Sequence, residues 1–306
     1  MKAALAEPST DDARGVWVFV AFTGLVFGSG GLLAKGLVDD GVDAFTVTSL
    51  PFLAGGAIGL VVAWLRREYR REAMLPAVVL GISASAGPAL LFNLGFERMS
   101  AGVVTLLISL GPVFTALGAH FVFPDERFNR TKALGLGLAL AGVAVLGLGG
   151  ADADATGEAI AIVLAGSLLA GGAAVIARRY ATRHGAPALI APQLAVAGVA
   201  AFALSIPAGR DFAPEGGFAG WHLPAMALFG VTTYLGFFSM MKANEIGTTG
   251  QVSVIGYCVT LFGVVGGVAV FGDAVTAALI AGGLLIVVSV TLIGMGSSTR
   301  PTPSDG

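Results

Sequence analysis

Ten long apolar stretches divide this chain of 306 residues, and few folds can accommodate so many. Each stretch is close to the roughly 20 residues that cross the hydrocarbon core of a bilayer as an α-helix. The chain is 56% apolar and only 12% charged, far from the composition of a water-soluble domain. The sequence therefore predicts an all-α, polytopic membrane protein with ten transmembrane helices. The predicted helices span residues 16–36, 44–64, 75–95, 100–120, 131–149, 157–177, 187–206, 222–242, 249–270 and 275–294.

The basic residues sort by side when the chain is threaded through a membrane in this way. Of the seventeen Lys and Arg residues, only Lys35, Arg98 and Arg210 fall in the odd-numbered loops. The N-terminus, the even-numbered loops and the C-terminus hold Lys2, Arg14, Arg66, Arg67, Arg70, Arg71, Arg127, Arg130, Lys132, Arg178, Arg179, Arg183, Lys242 and Arg300. Basic loops are retained in the cytoplasm. We therefore expect a multi-pass protein of the cytoplasmic (inner) membrane with both termini in the cytoplasm.

The chain lacks the residue patterns of enzymes and of metal or nucleic-acid sites. Its single cysteine, Cys258, excludes an internal disulfide and a cysteine-based metal site. The three histidines fall at or beyond helix ends, and the sequence has no phosphate loop, Gly-x-Ser-x-Gly elbow or His-Glu-x-x-His motif. A net charge of −2 gives no reason to expect nucleic acid. We expect no enzymatic activity, no cofactor and no metal.

The chain matches itself at an offset of 148 residues. The matched pairs include Glu97 and Glu245, Gly102 and Gly250, Phe114 and Phe262, Phe123 and Phe271, and Asp125 and Asp273. Glycine and valine are abundant and produce chance matches, but a Glu-x4-Gly unit and a Phe-x-Asp unit keep their mutual spacing in both copies. A fixed period of this kind indicates an internal duplication.

The duplication divides the chain into two five-helix halves. The predicted halves are residues 16–149 and 157–294, with cytoplasmic tails at 1–15 and 295–306. Five is an odd number, so the second half enters the membrane from the opposite side and the repeat is inverted. Inverted repeats place a substrate site near the bilayer midplane, between the halves.

The first copy of the repeated motif resembles the EamA domain of the drug/metabolite transporter superfamily. The resemblance lies in residues 95–104 (GFERMSAGVV), 109–114 (SLGPVF) and 123–127 (FPDER), followed by Gly135. The second copy is looser, with Thr260 where the proline would stand and Ala274 where the glutamate would stand. The resemblance implies ten helices in two repeats, and export or exchange of amino acids, other metabolites or small drugs.

Two features typical of that family are missing. An arginine often found early in helix 2 is absent from residues 48–52, which are apolar or neutral. The tryptophan common in the middle of helix 1 is also absent, with Phe27 nearby. A family-typical substrate contact at either place is therefore in doubt.

Neutral polar residues at mid-depth are the candidates for substrate binding. Thr105 and Ser109 lie on one face of helix 4 because they are four residues apart. Their partners in the repeat, Ser253 and Tyr257, share a face of helix 9. The alternative is that each hydroxyl bonds to its own helix or to a neighbouring helix. The other candidates are Gln193 and Tyr234 at mid-depth, and Asn93 nearer the outer end of helix 3.

Charged candidates lie only near helix ends. Glu97, Glu245 and Lys35 are the coupling or gate candidates, and the alternative for each is an interfacial charge that reaches water. Because no ionisable group falls clearly at mid-depth, neutral or zwitterionic substrates are favoured. In helix 4, Pro112 cannot donate a backbone hydrogen bond, so we expect a kink there.

The sequence thus predicts a secondary transporter, either an exporter or an exchanger, that moves small metabolites such as amino acids by alternating access. A passive channel and a non-transporting membrane scaffold are the alternatives. The expected partners are a small-molecule substrate and the lipid bilayer, without nucleic acid, and a homodimer is possible.

Overall fold

The computed structural model describes residues 10–68, 70–122, 129–150, 152, 154–184, 186–246 and 249–298. Within the helices, the side chains of several residues, including Glu245, Ser253 and Tyr257, lie outside the described part. The described residues form helices and their connections, with no β-strand among them.

Ten helices follow one another along the chain, as predicted. Nine of them are long and apolar enough to cross a membrane, judged on the described residues. The other, the ninth, contains a shorter apolar helix, Cys258–Phe271. The helices are α1 (Thr10–Asp39), α2 (Ala44–Leu65), α3 (Arg71–Phe96), α4 (Ala101–Val122), α5 (Arg130–Leu148), α6 (Gly157–His184), α7 (Ala186–Ser205), α8 (His222–Ile246), α9 (Thr249–Gly266, continued by π-helical Gly267–Phe271) and α10 (Ala277–Ser298).

The two ends of the bundle are distinguished by their connections. The odd-loop end carries the segments that follow α1, α3, α5, α7 and α9. At the even-loop end, α1 begins, α10 ends, and the chain passes from α2 to α3, from α4 to α5, from α6 to α7 and from α8 to α9. The distribution of basic residues predicts that the odd-loop end faces the outside.

Helix contacts repeat when the two halves are exchanged. Helix α1 contacts α8 and α9, and its counterpart α6 contacts α3 and α4. Helix α2 contacts α8, and its counterpart α7 contacts α3. Helices α2 and α7 also pack against each other, as do α5 and α10. Each half thus packs on the other through equivalent surfaces, which is the packing that an inverted repeat produces.

Two transmembrane helices are irregular next to the centre of the bundle. Helix α3 contains a π-helical segment, Gly81–Ala86. Helix α4 is interrupted between Ile108 and Gly111, just before Pro112, which confirms the expected break. Pro112 has no N–H, so the carbonyl of Ile108 receives no backbone donor from it. Such irregular backbone is tolerated in a membrane where it is buried in protein or lines a cavity.

The α2–α7 contact brings two backbones together at glycines. A Cβ added at Gly56 would lie 2.5 Å from the backbone nitrogen of Ala195. A Cβ at Gly198 would lie 2.6 Å from the backbone nitrogen of Leu53. Small residues allow this approach, which drives helix association in lipid through van der Waals contact.

Replacing Gly56 by alanine is expected to destabilise the protein. The new methyl group would force α2 and α7 apart, and overpacking of this kind costs about 1–3 kcal/mol. Gly137→Ala is the matched control, because a Cβ on that exposed helical glycine meets no atom within 4 Å. Thermal unfolding in detergent should show a lower melting temperature for Gly56→Ala alone. Equal melting temperatures would mean that the α2–α7 contact does not hold the halves together.

Candidate functional site

A cavity of about 310 Å³ lies between the two halves. The first half contributes residues from α1, α2, α3 and α4 to its wall, and the second half contributes residues from α6, α8 and α9. Along α3 the wall runs from Ala84 to Phe96, which is the part of that helix nearer the odd-loop end. This volume lies at the lower end of the range of small-molecule pockets.

Aromatic rings form much of the wall. The lining phenylalanines are Phe27, Phe52, Phe92, Phe96, Phe229 and Phe237. The ring of Phe237 packs edge-on against Phe27 at 5.5 Å and against Phe52 at 6.4 Å between centroids. The rings therefore support one another as an apolar surface built from both halves.

The polar part of the wall is neutral. The polar lining residues are Thr48, Ser85, Asn93, Thr105, Ser109 and Thr233. No Asp, Glu, Lys, Arg or His belongs to the wall formed by the described residues. The cavity therefore offers hydrogen bonds but no charge.

Asn93 lines the cavity, and its amide is held in place by α2. Its Nδ2 donates to the Thr48 hydroxyl at 2.9 Å, and that hydroxyl donates to the carbonyl of Ala44 at 2.7 Å. No hydrogen bond to Asn93 Oδ1 occurs within the described residues, so this acceptor is available to a solute. Asn93 was predicted as a neutral amide nearer the outer end of helix 3, and the structure adds Thr48 as its partner.

Ser85 lines the cavity from the π-helical segment of α3 and was not predicted. Its hydroxyl accepts from Gln193 Nε2 at 2.9 Å and donates to no described residue. Gln193 is buried in α7, behind the described wall, and its Oε1 has no partner among the described residues. The predicted residue Gln193 thus positions a polar lining residue and does not itself line the cavity.

Thr105 and Ser109 both line the cavity, and both hydroxyls donate back to their own helix. Thr105 donates to the carbonyl of Ala101 at 2.7 Å, and Ser109 donates to that of Leu106 at 2.6 Å. Helix α9 lies close by, since a Cβ at Gly263 would collide with the Thr105 side chain. Their oxygens can still accept a hydrogen bond.

Of the residues predicted in helices 8 and 9, the structure describes the side chain of Tyr234 only. Tyr234 is half-buried against Gly59 of α2, away from the described wall, while the neighbouring Thr233 lines the cavity. The side chains of Ser253 and Tyr257 lie outside the described part of the structure. Gly256, adjacent to Tyr257 in sequence, belongs to the wall.

Two of the charged candidates, Glu97 and Lys35, lie at the odd-loop end, in ion pairs. Glu97 Oε1 accepts from the backbone nitrogen of Ala44 at 3.0 Å, and its Oε2 lies 3.6 Å from Nη2 of Arg210. Lys35 pairs with Asp39 and donates to the carbonyl of Phe96 at 3.1 Å. The side chain of Glu245 lies outside the described part. In this structure Glu97 and Lys35 thus hold the ends of helices.

A carboxylate of the second half caps a helix of the first half. Asp273, in the connection between α9 and α10, accepts from the backbone nitrogen of Gly102 at 2.9 Å through Oδ2. Gly102 lies in the first turn of α4, where unpaired N–H groups attract anions. Both residues belong to the repeated units found in the sequence. The repeat thus marks a contact between the halves at the odd-loop end.

The fold and the cavity together define a class, namely a multi-pass membrane protein with two inverted five-helix halves and a cavity between them whose described wall is uncharged. The sequence model of the EamA-like transporter family matches residues 15–148 and, separately, residues 157–295. The chain belongs to this family, and is thus a membrane transporter of the drug/metabolite transporter type.

Comparison with solved structures supports the same fold. One crystal structure of another protein superposes with a TM-score of 0.68 over 94% of this chain and 99% of its own, at 20% sequence identity. A likeness at this identity concerns the fold alone. No match was found among the curated proteins.

Proposed function

We propose that the protein is a secondary transporter that moves a small metabolite out of the cell, or exchanges it, by alternating access. The observation that carries this proposal is the position of the cavity. It lies between two halves that pack through equivalent surfaces. An inverted repeat can rock about such a site and face either side of the membrane in turn.

The packing of the apolar core suggests which end of the cavity is closed. The largest cluster of buried apolar residues gathers the odd-loop ends of α1, α3, α4 and α10, and includes Leu37, Phe96, Met99 and Leu279. At the even-loop end two smaller clusters are separate, one joining α1, α8 and α9 and the other joining α3 and α7. We infer a state closed at the odd-loop end.

The direction of that state depends on the membrane topology. The basic residues favour a cytoplasmic even-loop end, in the cytoplasmic (inner) membrane with both termini inside. The cavity would then be closed to the outside, as an exporter requires when it loads its substrate from the cytoplasm.

Cysteine labelling tests this topology. In a Cys258→Ser background, Glu215→Cys places a thiol in the exposed α7–α8 connection, and Arg70→Cys places one in the exposed α2–α3 connection. We expect a membrane-impermeant maleimide to label the first in intact cells and the second only after permeabilisation. The reverse pattern would invert the topology and make the proposed export an import.

Counterflow tests transport itself. Proteoliposomes are preloaded with a mixture of unlabelled amino acids and other metabolites, and labelled solutes are added outside one at a time. A carrier should accumulate its labelled substrate transiently above the equilibrium level. A passive channel would equilibrate the label without an overshoot, and a scaffold would move none, so either result would overturn the proposal.

A further inference from the structure

The part of the cavity wall formed by the described residues carries hydrogen-bonding groups and no charged side chain, and this constrains what can bind. We propose that the site selects an uncharged aromatic solute with neutral hydrogen-bonding groups, in preference to zwitterions and ions. This inference rests on the proposed transport function and names its substrate class. It is carried by the six phenylalanines and the neutral polar groups of the wall.

The described wall has no charged group that could compensate the charge of a bound ion. A buried ion loses its hydration, and only an opposite charge with additional hydrogen bonds can offset that loss. The charged groups described nearest the odd-loop end of the wall are already paired, Lys35 with Asp39 and Glu97 with Arg210. A zwitterion would need compensation for both of its charges, and the described wall offers it for neither.

Two of the polar lining groups, Asn93 and Ser85, are separated along α3. Among the described residues, Asn93 Oδ1 receives no hydrogen bond and the Ser85 hydroxyl donates none. They lie eight residues apart on α3, which corresponds to about 12 Å along a helix. Between them, Phe92 and Pro88 also line the cavity. The wall therefore suits a solute with an apolar body and a neutral polar group towards each end.

The aromatic residues of the wall favour an aromatic solute. Rings that line a small pocket bind a planar apolar body through dispersion and edge-to-face contacts. Phe237 packs edge-on against both Phe27 and Phe52, so the three rings form one continuous surface. An aromatic solute would extend that surface.

Four indole compounds that differ in charge test the inference at neutral pH. N-acetyltryptophanamide is neutral, tryptophan is zwitterionic, tryptamine is cationic and N-acetyltryptophan is anionic. Calorimetric titration of the purified full-length protein measures binding without interference from passive membrane permeation. We expect N-acetyltryptophanamide to bind at least about tenfold more tightly than each of the other three.

Each alternative outcome would overturn the inference. Equal or tighter binding of tryptamine would indicate cation–π recognition by the phenylalanines. Equal or tighter binding of tryptophan or N-acetyltryptophan would show that charge is accommodated. If none of the four compounds binds, the proposal that the substrate is aromatic is wrong.

A change of charge inside the cavity is the complementary test. Thr233→Asp introduces a carboxylate at a lining position, so tryptamine should gain at least about tenfold in affinity relative to N-acetyltryptophanamide. Ser83→Asn, a neutral change on α3 outside the described wall, should leave the order unchanged. If Thr233→Asp does not fold, Asn93→Leu provides the second variant and should weaken the neutral compound about tenfold. An unchanged preference in the variant that folds would overturn the inference.

The substrate class and the transport function can fail independently. Counterflow of a charged solute would support the transport function and contradict the proposed preference for uncharged substrates. Tight binding of N-acetyltryptophanamide without counterflow of any solute would support the binding site and contradict the transport function.

Discussion

Replacing Gly256 by phenylalanine is expected to reduce transport by roughly tenfold to a hundredfold while leaving the protein folded. Gly256 belongs to the cavity wall on α9, and a Cβ added there meets no atom within 4 Å. The Cβ of a phenylalanine therefore fits without a clash, and its ring would occupy space that a solute needs. Counterflow in proteoliposomes measures the effect, with size-exclusion chromatography to confirm that the variant is folded.

Gly137→Phe is the matched control for this prediction. Gly137 is also a helical glycine with open space around its Cβ, but it lies on the exposed surface of α5. A phenylalanine there should contact lipid and leave counterflow at the wild-type level. Wild-type counterflow by folded Gly256→Phe would show that the solute does not pass through this cavity.

The ten helices could be predicted because lipid leaves the backbone few choices. Every N–H and carbonyl in the hydrocarbon core must be paired within the protein, so a lone apolar segment of about 20 residues forms a helix. Helix α2 begins at Ala44, as predicted. Helix α1 begins at Thr10, ahead of the predicted residue 16, because a helix can continue into water, where hydropathy gives no signal.

The candidate site could be predicted in depth but not in orientation. Thr233 and Tyr234 are neighbours at the same depth of α8, yet Thr233 faces the cavity and Tyr234 packs on Gly59. Successive residues of an α-helix are rotated by about 100° around its axis. Which of the two faces the cavity depends on how α8 is rotated against α2, and both faces of this helix are apolar enough to be buried.

Ser85 was missed for a related reason. It lies in the π-helical segment Gly81–Ala86, where the ordinary periodicity of an α-helix does not apply. Gln193 could be recognised as a buried amide from its position in an apolar helix. Its partner could not be recognised, because the hydrogen bond to Ser85 joins residues that are 108 positions apart. The available signal was a pair of serines, Ser83 and Ser85, near the middle of helix 3.

Replacing Asp273 by alanine is expected to open the odd-loop end of the protein. The Asp273 carboxylate holds the Gly102 N–H at the start of α4, and it packs closely against Gly267 of α9. Hydrogen bonds to charged groups contribute about 1.5–3 kcal/mol. Removing this bond should shift the equilibrium towards the open state by roughly tenfold or more.

A cysteine inside the cavity reports this shift. Ala34 lines the cavity in α1 and is almost fully buried, so Ala34→Cys in a Cys258→Ser background should react slowly with a maleimide applied at the odd-loop face. Asp273→Ala should raise the labelling rate by about tenfold, and Asp273→Asn, which keeps a carbonyl acceptor, by less. Asp211→Ala removes an exposed carboxylate from the same end and is the control. Equal rates in Asp273→Ala and Asp211→Ala would show that this bond does not hold the end closed.

The repeat extends the prediction to the opposite end of the protein. Asp125 and Gly250 are the sequence counterparts of Asp273 and Gly102, and Asp125 lies outside the described residues. If an inverted repeat uses the same bond to close each end in turn, loss of Asp125 should favour opening at the even-loop end. Asp125→Ala should then lower the labelling rate of Ala34→Cys from the odd-loop face, because the two open states compete. A rise in that rate would mean that the two carboxylates do not stabilise closure of opposite ends, even though the sequence repeats them.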